Sequence, residues 1–101
     1  MTSKIYTLQV RLWMYPGEFA NWYFVTVPKK MSTEIKEGFG KYARGFGSLP
    51  VAVTVGKTAW ETSIFPDTRS GTYLLPIKAK VRKEEALFAD DVIAVSFKVR
   101  Q

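Results

Sequence analysis

The stretch Tyr6-Thr7-Leu8-Gln9-Val10-Arg11-Leu12-Trp13-Met14-Tyr15 decides the fold. Tyr6, Leu8, Val10, Leu12 and Met14 fall on one face, and Thr7, Gln9, Arg11, Trp13 and Tyr15 on the other. Side chains alternate with period two only on an extended backbone, where successive Cβ atoms point to opposite sides. Thr7 to Tyr15 therefore predicts a strand, and Pro16-Gly17 ends it with a turn. Ala20 to Pro28 is aromatic and β-branched, which predicts the second strand of an antiparallel hairpin.

The same rhythm recurs downstream. Val51, Val53 and Val55 share a face of a third strand, Leu49 to Val55, and Gly56-Lys57 fits a two-residue hairpin turn with glycine first. Thr58 to Phe65 is the fourth strand, followed by a loop, Pro66-Asp67-Thr68-Arg69-Ser70-Gly71. Tyr73 to Val81 reads as the fifth, with Tyr73, Leu75, Ile77, Ala79 and Val81 inward; Pro76 inside it marks an edge or a bulge. Asp91 to Arg100 is the last, with Ile93, Val95, Phe97 and Val99 on one face. Two short helices are expected. One has Ser32 as N-cap and Glu34 in its first turn and is ended by Gly38 and Gly40; the other spans Arg82 to Phe88. The sum is one mainly β domain over residues 1–101, a small barrel of about six strands with two short helices.

Composition bounds the chemistry. The 101 residues fit one domain, and 47% hydrophobic with 24% charged residues is the balance of a globular chain. Without cysteine there is no disulfide, thiolate nucleophile or thiolate metal site. Without histidine the commonest general base near neutral pH and the commonest transition-metal ligand are also missing. Thr62-Ser63 has no base to activate a hydroxyl and no nucleophile-elbow glycines around it. Glu61, Asp67, Asp90 and Asp91 match no metal-binding spacing, and Asp90-Asp91 is read as turn chemistry. The glycines at 38, 40, 45 and 47, with Lys41 and Arg44, lack the Gly-Lys-Ser/Thr ending of a phosphate loop. No catalytic residue, metal ligand or cofactor is therefore assigned, and an enzyme using carboxylates or lysine ranks last. No apolar h-region follows the start, and the charge-free run from Phe19 to Pro28 is too short to span a membrane, so no membrane partner is expected and a cytoplasmic location is the default.

Three segments carry a resemblance. Trp60-Glu61-Thr62-Ser63-Ile64-Phe65-Pro66, then Gly71-Thr72-Tyr73-Leu74-Leu75-Pro76-Ile77-Lys78-Ala79 with Val81-Arg82-Lys83, and Trp22-Tyr23-Phe24-Val25-Thr26-Val27-Pro28 resemble the bacterial and archaeal domain-of-unknown-function family numbered nineteen-oh-five. The resemblance implies a small double-split β-barrel whose C-terminal part is similar to AbrB-like DNA-binding domains. Ala89 stands where that family usually has glycine, so either Ala89 is strained in a positive-φ conformation or the turn has shifted.

Candidate contacts follow from residue type. Trp13 lies beside Arg11 on the polar face of its strand, where an aromatic can stack a ligand ring; Trp60 and Lys78 complete the expected ligand set. The leading expectation is a non-enzymatic module binding a small anionic or aromatic ligand. The alternative is nucleic-acid binding. Net charge is +6, and Lys78, Lys80 and Arg82, at alternate positions of the expected strand, would form a cationic ladder with Lys57 and Arg69 beside it. The same alternation also suits a solvated strand face. Monomer and homodimer both remain open.

Overall fold

The computed structural model describes residues 4–18 and 21–100. Residues 1–3, on which the expectation of no leader falls, and residues 19 and 20, the latter the first of the expected second strand, lie outside the described residues. The elements in chain order are β1 (Tyr6–Arg11), β2 (Trp13–Tyr15), β3 (Trp22–Thr26), α1 (Lys29–Phe39), β4 (Leu49–Val55), β5 (Thr58–Asp67), β6 (Thr72–Pro76), α2 (Ala79–Glu84) and β7 (Val92–Val99). Two 3-10 turns, Gly40–Tyr42 and Gly45–Gly47, connect α1 to β4. No helix among the described residues is long and apolar enough to cross a membrane.

The domain is mainly β, as expected, but it has seven strands rather than about six. The run from Tyr6 to Tyr15 divides at Leu12: β1 pairs with β7, and β2 pairs with β3. Leu12 is fully buried, and its backbone joins the turn before β7 through Leu12 N–H to Asp91 O at 2.8 Å and Asp90 N–H to Leu12 O at 2.7 Å. All pairings are antiparallel, in the order β1-β7-β4-β5-β6-β3-β2. The two outermost strands of that order are therefore consecutive in the chain. Strand β5 also changes partner along its length, pairing with β4 from Thr58 to Ile64 and with β6 from Phe65 to Asp67. Sharing a long strand between two sheet halves turns a corner and curls the sheet.

The inner surface of the curl is apolar. Tyr6, Leu8, Val51, Val53, Ile64, Leu75, Val95 and Phe97 are buried, and Tyr6 stacks on its register partner Phe97 with ring centroids 5.3 Å apart. Burying each such side chain stabilises by roughly 1.5–3 kcal/mol relative to exposure. The Gly56-Lys57 turn forms as predicted, joining Val55 to its partner Thr58, with Gly56 at φ +58°. Glycine is required there for its conformation; a Cβ would also push aside the flexible end of Glu85, whose carboxylate accepts from Lys57 N–H and Thr58 Oγ1.

Two expectations need correction, the alternative left open at Ala89 is decided, and the second helix runs Ala79–Glu84 rather than Arg82 to Phe88. The fifth strand ends at Pro76, and Lys78 to Glu84 is the N-cap and body of helix α2. Ile77 and Val81, four residues apart, satisfy the helical period as well as the strand period, and both are buried as predicted. Ala79, which only the strand reading turns inward, is exposed. Lys78, Lys80 and Arg82 thus form no strand ladder, since residues two apart on a helix lie about 200° apart around its axis.

Ser32 is not an N-cap, because α1 begins three residues earlier, after Pro28. The Ser32 hydroxyl is buried, donates to Val27 O at 3.0 Å and accepts from Tyr73 N–H at 3.0 Å. Val27 N–H bonds Tyr73 O directly at 2.9 Å, so the hydroxyl replaces the second bond of a ladder pair and ties α1 to the sheet. Ser32→Ala leaves a buried donor and a buried acceptor unpaired. It should lower the free energy of unfolding by about 1–3 kcal/mol, read from urea titration by circular dichroism.

Ala89 is not strained; the turn has shifted. Among the described residues, the non-glycine ones in the left-handed region are Phe46 (φ 59°), Ala86 (φ 52°) and Asp90 (φ 73°). Aspartate tolerates this region. Ala86 sits just past the end of α2, where Leu87 N–H bonds Arg82 O at 2.8 Å and Ala86 N–H bonds Lys83 O at 3.4 Å. That bonding is a Schellman ending, whose left-handed residue is usually glycine. Ala86→Gly is expected to stabilise the domain by about 0.5–1 kcal/mol, seen as a higher urea midpoint with unchanged slope.

Burial pushes the Tyr6 and Tyr73 phenols above their ordinary value of 10.0. The unfolded chain ionises these groups first, so their contribution is intact below about pH 10 and is lost as pH rises beyond it. Melting temperature should fall between pH 9 and pH 11, and Tyr73→Phe should reduce that fall.

Candidate functional site

The outward surface of β2, β3, β6 and β5 is unusually aromatic, and strand alternation explains why. Val25 is buried, so its neighbours Phe24 and Thr26, and Trp22 beyond, project outward from β3. Register places Tyr15 opposite Trp22, Trp13 opposite Phe24, Phe24 opposite Pro76, and Phe65 opposite Leu74. The result is a continuous outer face of rings from four adjacent strands. Trp22 is 57% exposed, Tyr15 58% and Phe65 41%. A shallow hollow of about 380 Å³ is formed by Tyr15, Trp22, Phe24, Phe65 and Pro76.

A second concavity, about 310 Å³, shares Trp22 and Pro76 with the first. Its other walls include Tyr23, Ile77, Lys78 and Arg82. Arg82 lies with its guanidinium carbon 3.7 Å from the Tyr23 ring centroid and donates from Nε to Ile77 O at 3.2 Å. Stacking and the Nε bond fix the plane of the guanidinium. Its Nη groups have no hydrogen-bond partner among the described residues. The helix makes this possible: α2 buries Val81 and lays Arg82 on Tyr23, which alternates to the face of β3 opposite Trp22 and Phe24, so the cleft wraps around the end of that strand. The cleft therefore joins an ordered cation with open donors, an exposed cation at Lys78 and an exposed indole.

The residues predicted from sequence are distributed as follows. Arg11 and Trp13 share the outer face, but Arg11 ends β1 opposite Val92 whereas Trp13 belongs to the β2–β3 pair. Trp13 is half-buried, its indole N–H donates to Thr26 Oγ1 at 2.9 Å, and its ring lies 5.1 Å from that of Phe24. It is already engaged within the sheet. Trp60 packs against the core opposite Val53 and borders a groove with Ala52, Thr54 and Ser96 in the other sheet half. Lys78 lines the Trp22 cleft, and Arg82 anchors it. Lys80 is exposed on α2. Arg69 lies in the β5–β6 loop, at the opposite end of β6 from Lys78. Tyr15, Trp22, Tyr23, Phe65 and Pro76 were not among the predicted contacts. The opposition of Trp22 and Phe24 to Val25 is the sequence signal that points to them.

The carboxylates near loops serve structure. Glu61 pairs with Arg100 at 3.3 Å. Asp67 accepts from Ser70 Oγ at 2.8 Å and from Arg69 N–H at 3.2 Å. Asp91 accepts from Phe88 N–H at 2.8 Å. No group of three potential metal-ligating side chains occurs among the described residues.

The family described as Domain of unknown function (DUF1905) matches residues 9–97, from within β1 to within β7. No curated protein matches the chain.

Proposed function

The chain belongs to the family of unknown function DUF1905, and we propose from its geometry that it is a binding module for a flat apolar ring bearing a carboxylate or phosphate. The observation that carries this reading is Arg82, held against Tyr23 and Ile77 O with its Nη groups open, in a cleft walled by Trp22 and Pro76. A guanidinium fixed in this way loses little conformational freedom when it accepts an anion, and its fork matches two oxygens at once. Trp22 and Pro76 supply the apolar surface for the ring. The strand sharing at β5 and the joint at Leu12 also support reading the curled sheet as a double-split barrel.

The reading is tested by titrating the protein with inorganic phosphate, benzoate and adenosine monophosphate, followed by Trp22 fluorescence and by amide chemical shifts. Adenosine monophosphate should bind more tightly than phosphate, because only it fills both parts of the cleft. Arg82→Gln should weaken binding roughly 10- to 150-fold, the size expected for losing a charge-assisted bidentate contact. Lys78→Gln should weaken it less and Lys80→Gln should leave it unchanged. No response around Trp22 and Tyr23 with any probe at about 10 mM, or equal binding by the Arg82→Gln variant, overturns the reading.

A further inference from the structure

Resting on that reading of the cleft, we infer that the ligand class is single-stranded nucleic acid, laid across the outer aromatic face with a phosphate on Arg82. The cleft does not close around a single ring. It continues over Trp22 and Pro76 into the hollow of Tyr15, Phe24 and Phe65. The rings come from four successive strands spaced about 4.8 Å apart, so the apolar surface extends over roughly 14 Å. One monocyclic or bicyclic ligand leaves most of that surface in water, whereas consecutive nucleotides cover it.

Charge selects among occupants. β2, β3 and β6 contain no carboxylate. Asp67, on β5, is occupied by Ser70 and Arg69 N–H, and Glu18 lies in the turn after β2. Cations stand at the margins: Arg11 outward at the end of β1, and Lys78, Arg82 and Lys83 on and beside α2; the carboxylates of Glu84 and Glu85 there are turned to the Thr58 hydroxyl, and Glu61, earlier on β5, pairs with Arg100. A chain of net charge +6 repels a second copy of itself but attracts a polyanion. Exposed rings in the middle with cations at the edges is the arrangement that stacks bases and tracks a phosphate backbone. Bases inside a duplex have no free face to stack, so the surface favours single strands.

The test is fluorescence anisotropy with a labelled ten-residue oligothymidylate at about 50 and 200 mM salt, compared with thymidine monophosphate and with a duplex of the same length. The oligomer should bind at least tenfold more tightly than the monophosphate and more tightly than the duplex, and its affinity should fall as salt rises. Trp22→Ala and Phe65→Ala should each weaken oligomer binding about 5- to 100-fold. Both side chains are exposed, so circular dichroism should show the fold retained in both variants. Monophosphate binding without a length effect overturns the nucleic-acid assignment and leaves the small-ligand reading standing. Loss of binding to every probe overturns both. A concentration-dependent dimer abolished by Trp22→Ala, with no oligomer binding, assigns the face to a second copy and overturns the inference.

Discussion

Between Ile64 and Phe65, strand β5 changes its neighbour. Ile64 pairs with Leu49 and is fully buried; Phe65, the next residue, pairs with Leu74 and points outward. The same exchange occurs across Leu12, where the chain leaves β7 for β3. With seven strands and two short helices, this chain has no second layer large enough to cover one face of a flat sheet. Two strands shared between sheet halves solve this by curling the sheet on itself, so the inward residues of opposite strands supply the layer that would otherwise be missing. Everything outward of that curl is a consequence, including the aromatic face.

Much of this was legible because strands write their orientation in every second residue. Leu49 to Val55 and the Gly56 turn were predicted to the residue, and Ile93, Val95, Phe97 and Val99 are inward as expected. The alternation of Tyr6 to Tyr15 passes unbroken through the joint at Leu12, so the sequence carries no mark of the change of partner. Partner exchange is a property of the edges of a strand, whereas periodicity reports only its faces. The start of helix α2, Ala79 to Val81, was hidden for a different reason. Ile77 and Val81 fit both periods, and only Ala79, too small to declare a side, separates them. Ser32 was read as a cap because serine before a helical run usually is one; its task here depends on Tyr73, 41 residues away, which no local pattern reveals.

The candidate site shows the same division. Trp22 and Phe24 could be placed outward from Val25 alone. Arg82 could not be placed beside Tyr23 until α2 was known to be a helix, because as a strand residue it would have followed Lys78 and Lys80 along one face. The strand reading of Lys78 to Val81 therefore laid out as a row the cations that the helix separates, leaving Arg82 alone over Tyr23. Trp13 was favoured for its polar-face position, yet position does not measure availability. Its N–H is satisfied by Thr26 and its ring by Phe24, while Trp22, one strand over, is left open.

That contrast between two indoles on one face is the physical core of the functional argument. Water contact with an apolar ring is unfavourable, and contiguous exposed aromatic surface on a small domain marks a place of contact. Trp13 shows that this sheet has the means to half-bury an indole and satisfy its N–H. Trp22 lies next to Tyr15 in register and has Pro76 and Phe24 beside it, yet it stays 57% exposed. Its outer surface is not covered by the neighbouring side chains, and it stands near Arg82, whose guanidinium is held by the Tyr23 ring and Ile77 O. Exposure of the ring leaves a surface to stack, and ordering of the guanidinium removes part of the entropic cost of binding an anion next to it. Either feature alone is compatible with an inert surface. Sharing one cleft, they define a site in which apolar contact and charge act on the same ligand.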